Sequence, residues 1–389
     1  MLLSIAYMLM TGMFLGWCCK KIRLPGLVGM IFTGILLGPS MLNLIDDSIL
    51  GISSELRRIA LIIILTRAGL TLNLADLKRV GRPAVLMCFV PAGLEMIGMV
   101  LLAPRLLGIT GVEAAVMGAV VAAVSPAVIV PKMIQLIEGG YGKKNSIPQM
   151  ILAGASVDDV FVIVMFTAFA KIAQGEQVSA ARFIHIPLSI ASGIAAGILI
   201  GVLAAKYFQK VHIRDTAKVM ILLCISFILV SLEDQYGDVI PFSGLIAVMG
   251  IGIALQKKRG VVAKRLSVKF NKLWVVAEIM LFVLVGATVD LKYAAAAGAA
   301  PLILIFGVLL FRGAGVLLCM VRTKLNWRER LFCVIGYLPK ATVQAAIGGL
   351  PLAMGLPCGN IVLTVAVLAI LITAPLGAFL IDRAYRILL

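Results

Sequence analysis

The chain has 389 residues, of which 62% are hydrophobic and 14% charged, with a mean hydropathy of +1.11. Soluble domains carry about 45–50% apolar and about 25% charged residues, so this chain has too little polar surface to cover a water-soluble globule. Its formal charge of +17 would point to a nucleic-acid partner in a soluble protein; in a membrane protein it points to the distribution of charge between loops.

Apolar stretches near the length needed to cross about 30 Å of hydrocarbon recur from end to end. Thirteen membrane spans are predicted, at 2–19, 24–42, 59–74, 83–102, 114–130, 147–170, 183–205, 219–232, 240–255, 273–289, 299–321, 331–352 and 361–380. The first is read as a retained helix, because no basic segment precedes it and no small-residue cleavage pattern follows. The seven cysteines lie mostly in apolar spans without paired spacing, which gives neither a disulfide framework nor a metal motif. The longest polar stretch, 256–272, is too short for a soluble domain and is expected to be a basic loop lying against anionic lipid.

The loops after spans 1, 3, 5, 7, 9 and 11, with the C-terminal tail, hold 26 of the 35 Lys and Arg residues; the loops on the other side hold six. By the positive-inside rule this predicts a multi-pass protein of the cell membrane with its N-terminus outside and its C-terminus in the cytoplasm. It also removes most of the case for nucleic acid. Lipid is the expected surrounding partner.

The two halves resemble one another. Leu24-Pro-Gly-Leu-Val-Gly matches Ile240-Pro-Phe-Ser-Gly-Leu in its order of Pro, small and apolar residues. Ala68-Gly-Leu-Thr-Leu-Asn-Leu74 matches Val285-Gly-Ala-Thr-Val-Asp-Leu291, an offset of 217 between Gly69 and Gly286. The same offset carries Glu95, the glutamate of span 4, onto Arg312, the cation of span 11. Span 5, with Ser125-Pro126 inside it, falls on span 12, with Pro339-Lys-Ala-Thr342. Span 3 pairs with span 10, a shift of seven spans, so the repeats must be inverted. The expected fold is therefore all-α and polytopic, with two inverted six-helix repeats, a linker helix between them, and two discontinuous helices that cross at mid-membrane. Broken helices expose backbone N–H and C=O groups that lipid cannot satisfy, so they persist where they line a cavity or bind an ion.

An ionisable side chain at the bilayer centre costs roughly 2.5–3.5 kcal/mol on insertion scales, so each needs a reason. Seven lie within spans: Arg67, Glu95, Asp158, Asp159, Glu278, Arg312 and Lys340. Arg67 and Glu278 sit near span ends and read as snorkelling or paired. Asp158 and Asp159 are adjacent in the middle of span 6. Neighbours on a helix point about 100° apart, so one can face a cation while the other meets a partner, and the two titrate as a coupled pair. A carboxylate that takes either H⁺ or a small cation has the chemistry of exchange.

Ala123-Val-Ser-Pro-Ala-Val-Ile-Val-Pro131, Gly139-Gly-Tyr-Gly142, Gly154-Ala-Ser-Val-Asp-Asp159 and Leu338-Pro-Lys-Ala-Thr-Val-Gln-Ala-Ala-Ile-Gly348 closely resemble the monovalent cation:proton antiporters. The nearest resemblance is to the NHA-type Na⁺/H⁺ exchangers of the cation:proton antiporter-2 group, and it runs over essentially the whole chain. It implies Asp159 as the main cation and proton carboxylate with Asp158 beside it, both contacting Na⁺ or Li⁺ as transported metal ions. Ser125, Ser156 and Thr342 would supply oxygen ligands near the crossing, with Lys340 as a cation close to Asp158. It further implies a homodimer, no cofactor, and elevator-type movement of a core against a dimerisation scaffold. On that division 1–58 and 215–256 are scaffold, 59–172 and 257–389 are core, and 173–214 is the linker helix.

One departure bears on mechanism. Many electrogenic relatives carry a lysine where this chain has Arg312, and an arginine does not deprotonate. A permanent Glu95–Arg312 pair and electroneutral exchange are expected. Potassium/proton antiport and sodium-coupled symport of an organic solute on a similar fold are the alternatives. An intramembrane enzyme lacks a nucleophile and base, since His185 and His212 lie near span ends.

Overall fold

The computed structural model describes residues 1–72, 81–142, 144–175, 180–236 and 241–389, with the side chains of 156, 160, 180–187 and 294 also outside the description. All regular elements among these residues are helices. They are α1 (Leu2–Lys21), α2 (Gly26–Leu37), α3 (Asp47–Gly51), α4 (Ser53–Thr71), α5 (Arg82–Met87), α6 (Val90–Leu107), α7 (Gly111–Val121), α8 (Pro126–Glu138), α9 (Ile147–Ala173) and α10 (Ala180–Lys210). There follow α11 (Asp215–Tyr236), α12 (Gly244–Lys258), α13 (Gly260–Ala287), α14 (Leu291–Ala296), α15 (Ala300–Cys319), α16 (Trp327–Gly336), α17 (Thr342–Ile347), α18 (Leu350–Ala353) and α19 (Gly359–Leu388).

Nine helical stretches among the described residues are long and apolar enough to cross a membrane, two of them, Arg82–Leu107 and Gly111–Glu138, formed by successive elements. Alpha2 and the 342–353 segment are shorter apolar helices. This is a multi-pass membrane protein.

Local chemistry sets many of the helix ends. Thr110 and Glu113 form a reciprocal capping box at the start of α7, and Asn326 and Glu329 form another at the start of α16. These two helices lead into the two breaks, so each half-helix starts from a fixed end.

Two differences from the sequence reading have physical causes. The span expected at 83–102 is interrupted, α5 ending at Met87 and α6 starting at Val90, where Pro91 takes a first-turn position that needs no N–H donor. The basic run 257–272, expected as a loop, is largely helix and forms the first turns of α13. Val262, Ala263, Leu266, Phe270 and Trp274 are buried at three- and four-residue spacing while Lys264, Arg265, Lys269 and Lys272 are exposed. The charge density conceals an amphipathic pattern.

The chain forms two compact units. One comprises Met1–Arg57, Ala75–Glu176 and Ile279–Leu389. In it α1 packs on α2, α6 on α15, and α7 on α6 and α9. Backbones meet closely where side chains are absent: a Cβ on Gly34 would lie 1.9 Å from the Val283 carbonyl oxygen, and one on Gly286 would lie 2.1 Å from that of Ile31. The other unit comprises Arg58–Leu74 and Gln177–Glu278. Its centre is α10 against α12, where Gly193, Gly197 and Gly201 face the carbonyls of Ser243, Ala247 and Ile251, one turn apart. In lipid there is no hydrophobic drive between helices, and such small-residue stripes supply dispersion contact instead. Glu278 lies near enough to Arg67 in this unit to act on it electrostatically.

Candidate functional site

The site lies wholly within the first unit, where the helix interruptions at 122–125 and 337–341 meet. Alpha7 stops at Val121 and α8 restarts at Pro126; α16 stops at Gly336 and α17 restarts at Thr342. The two unwound strands are joined directly, Ser125 N–H donating to the Pro339 carbonyl at 2.8 Å. Pro126 and Pro339 are the sequence cause, since neither can donate to a helical ladder.

An unwound segment buried away from water must place its backbone groups elsewhere. The carbonyls of Val121, Ala122 and Ala123 form the negative end of α7, and all three are capped by side chains from other elements. Lys340 Nζ donates to Val121 O at 2.8 Å, and Gln344 Nε2 donates to Val121 O at 2.9 Å and Ala123 O at 2.8 Å. Arg312 Nη1 takes the Ala122 carbonyl. On the second interruption, Arg312 Nε donates to Tyr337 O at 2.6 Å and Lys340 N–H to Thr373 Oγ1 of α19 at 3.0 Å. Cations thus sit where a helix C-terminus places partial negative charge.

The same cations carry the ion pairs. Arg312, on α15, bonds Glu95 Oε2 of α6 through Nη1 at 2.7 Å and Asp158 Oδ2 of α9 through Nη2 at 3.1 Å. Lys340 pairs with the other Glu95 oxygen at 2.6 Å. Asp158 Oδ2 also accepts from Val124 N–H at 2.8 Å. The expected Glu95–Arg312 pair is present, and it joins residues 217 positions apart. Lys340 is bonded to Glu95, and Asp158 takes Arg312 instead.

Asp159 differs from its neighbour. It is 6% exposed and has no cation within ion-pair distance among the described residues; its Oδ1, like that of Asp158, has no hydrogen-bond partner there. Glu95, Arg312, Asp158 and Lys340 balance to zero, so the remaining negative charge falls on Asp159. Ser125, the N-cap of α8, and Thr342, the first residue of α17, are buried with hydroxyls that have no hydrogen-bond partner among the described residues. These are hard oxygen donors beside the interruptions, the set that suits a small alkali cation. Ser156 belongs to α9, one turn before Asp159, and its side chain lies outside the described residues.

Sequence reasoning quoted Gln344 within a motif without giving it a role, and it missed Tyr337 and Thr373. Tyr337 is fully buried, its ring lies 5.4 Å from the Arg312 guanidinium carbon, and its hydroxyl donates to Met87 O at 3.3 Å. Its position just before the second interruption is a usable signal; Thr373, thirty-three residues beyond Lys340, leaves none.

Interrupted helices that meet at a buried charge network, in an all-helical membrane protein, define a secondary ion transporter. The sodium/hydrogen exchanger transmembrane family profile matches residues 8–383. Sodium/hydrogen exchanger 9B2 of Mus musculus is 33% identical over 374 residues, which span 92% of this chain and 67% of the relative. The Homo sapiens 9B2 protein is 33% identical over 379 residues, spanning 92% and 68%, and human sodium/hydrogen exchanger 9B1 is 30% identical over 343. The solved structure of the sodium proton antiporter MjNhaP1 from Methanocaldococcus jannaschii at pH 8 superposes with a TM-score of 0.87 over 99% of this chain and 97% of that one, at 20% identity, and shows the shared fold. The chain belongs to the sodium/hydrogen exchanger family, whose members are transporters rather than enzymes and need no cofactor.

Proposed function

We propose that the protein is a secondary antiporter that exchanges Na⁺, or Li⁺, for H⁺, with the two competing for the Asp158/Asp159 pair and Asp159 taking the ion. The observation that carries this reading is the contrast between the paired carboxylates and the unpaired Asp159. With the other four charges balanced, one H⁺ or one Na⁺ on Asp159 makes the site neutral. The empty site keeps a buried negative charge, which is costly to carry through low dielectric. Exchange of one ion for the other, without net charge movement, follows from that balance, because Arg312 contributes no proton. Ser125, Ser156 and Thr342 supply oxygens around the bound ion.

The reading includes thirteen spans in two inverted repeats. The order of a long helix, a short one, a long one, an interrupted pair and a final long helix, seen in α4–α9, recurs in α13–α19, where the four-residue α18 is added before the last helix. Contacts within each unit also join segments that this topology puts on one side. Arg58 Nη2 meets Asp234 Oδ1 at 2.6 Å and Ser40 Oγ donates to Val289 O at 2.9 Å on the proposed outer side. Arg265 Nε meets Asp215 Oδ2 at 3.2 Å, Asn145 Nδ2 donates to Glu329 Oε1 at 2.8 Å, and Lys132 pairs with Asp382 on the proposed cytoplasmic side. The N-terminus is then outside and the C-terminus cytoplasmic. Elevator-type alternating access in a homodimer, with 59–172 and 257–389 as the moving core, completes the proposal.

Purified protein in proteoliposomes loaded with a pH reporter tests it. Na⁺ and Li⁺ are expected to drive proton efflux, with K⁺ weaker. Efflux driven by K⁺ alone would favour potassium/proton exchange, and cation-dependent uptake without proton movement would favour symport.

A further inference from the structure

The Ala123–Val124 peptide is held from both sides. Its N–H donates to Asp158 Oδ2 at 2.8 Å, and its carbonyl accepts from Gln344 Nε2 at 2.8 Å. No peptide bond among the described residues is cis, and a trans peptide points its N–H and C=O in opposite directions. Gln344 and Asp158 therefore stand on opposite sides of one rigid plane. That plane lies in the unwound stretch after α7, where no helical ladder fixes it. The Gln344 side chain is itself anchored, since its second amide hydrogen bonds Val121 O, the carbonyl that Lys340 also caps. It is 1% exposed.

We propose that Gln344 is a positioning residue for the carboxylate pair: it fixes the Ala123–Val124 peptide so that the Val124 N–H stays aimed at Asp158. Asp158 is thereby kept in its bonds to Val124 and Arg312, and Asp159 is left to the transported ion. Successive hydrogen bonds polarise one another, so the amide also strengthens the bond that Asp158 receives. Without it the peptide is free to rotate, Asp158 loses a donor, and it competes with Asp159 for the cation. The inference rests on the antiport reading and adds to it a residue that touches neither the ion nor a carboxylate.

The test compares wild type, Gln344→Leu and Gln344→Glu in proteoliposomes, measuring Na⁺-driven proton flux over a range of Na⁺ concentration and pH, with thermal melts in detergent beside it. Glutamate has the shape of glutamine but donates only when protonated. Lys340, which shares the Val121 carbonyl with Gln344, and Asp158, across the peptide, are common to all three proteins, as are Glu95, Arg312 and Asp159 in the same unit, so a difference in pH profile reports the substituted group in their field. Gln344→Leu is expected to raise the apparent Na⁺ KM by about tenfold at every pH with a smaller change in maximal rate. Gln344→Glu, whose protonated form offers one O–H in place of two N–H donors, is expected to come nearest to wild type at the acid end and to lose apparent affinity as pH rises. A Gln344→Glu protein with the wild-type KM at every pH, or a fall in maximal rate alone, overturns the proposal. So does failure of both variants to give a cooperative melt, which would make the amide a folding element. Absence of flux in wild type would instead overturn the antiport reading itself.

Discussion

Asp158 and Asp159 are chain neighbours with opposite electrostatic circumstances: Asp158 Oδ2 receives both Arg312 and the Val124 N–H, whereas Asp159 has no cation within ion-pair distance among the described residues. The helix makes the difference. A rotation of about 100° between consecutive residues turns one side chain toward α15 and the first interruption, and the other away.

The Glu95 carboxylate pairs with two cations, one on each oxygen, and Arg312 has Asp158 as a second partner. Glu95→Ala leaves Lys340 buried without a counter-charge, and breaking a buried pair in this way costs about 3–5 kcal/mol. Because Arg312 retains Asp158, removing Lys340 as well restores the balance. The double variant Glu95→Ala/Lys340→Met is therefore expected to melt well above Glu95→Ala alone in detergent. Additive losses would show that the two side chains do not interact.

Gly154 lies one turn before Asp158, where the Tyr337 hydroxyl approaches so closely that a Cβ would sit 2.1 Å from it. Gly154→Ala is expected to destabilise by about 1–3 kcal/mol through overpacking and to displace Tyr337 from Arg312. Tyr337→Phe removes the offending oxygen and one hydrogen bond of 3.3 Å, so by itself it is expected to cost less. In the Gly154→Ala background it should recover part of the loss, read again as a melting temperature.

Electroneutral exchange predicts that flux ignores the membrane potential. Clamping proteoliposomes at an imposed potential with a potassium ionophore should leave the initial Na⁺-driven proton flux unchanged within error. A steep dependence on potential would mean that a further charge moves, and that the Arg312 network is not static.

The sequence made the broad plan legible because membrane burial is expensive. Hydropathy marked most of the long apolar helices, nine of which among the described residues can cross a membrane where thirteen spans were expected, and the cost of a charge in lipid singled out Glu95, Asp158, Asp159, Arg312 and Lys340. The 217-residue offset placed Glu95 opposite Arg312, and they touch. What escaped was geometry that spacing does not encode. Lys340 lies close enough to Asp158 to act on it electrostatically, as expected, but a side chain reaching across an unwound segment can choose among several acceptors, and its direct partners are Glu95 and Val121. Gln344 and Thr373 are ordinary polar residues in apolar helices until the interruptions leave backbone groups for them to engage. The helix of 260–272 was hidden because its lysines and arginines lower hydropathy while its buried face keeps helical spacing.

The most direct test of the central claim is Na⁺-driven proton flux in proteoliposomes with Asp159→Asn beside Asp158→Asn and wild type, at matched protein incorporation. An amide keeps the size of the carboxylate but binds neither H⁺ nor Na⁺ in exchange. The account predicts that Asp159→Asn abolishes flux while its melt stays near wild type or rises, because an unpaired buried charge has been removed, and that Asp158→Asn retains measurable flux. Cation-driven flux that survives intact in Asp159→Asn would contradict it.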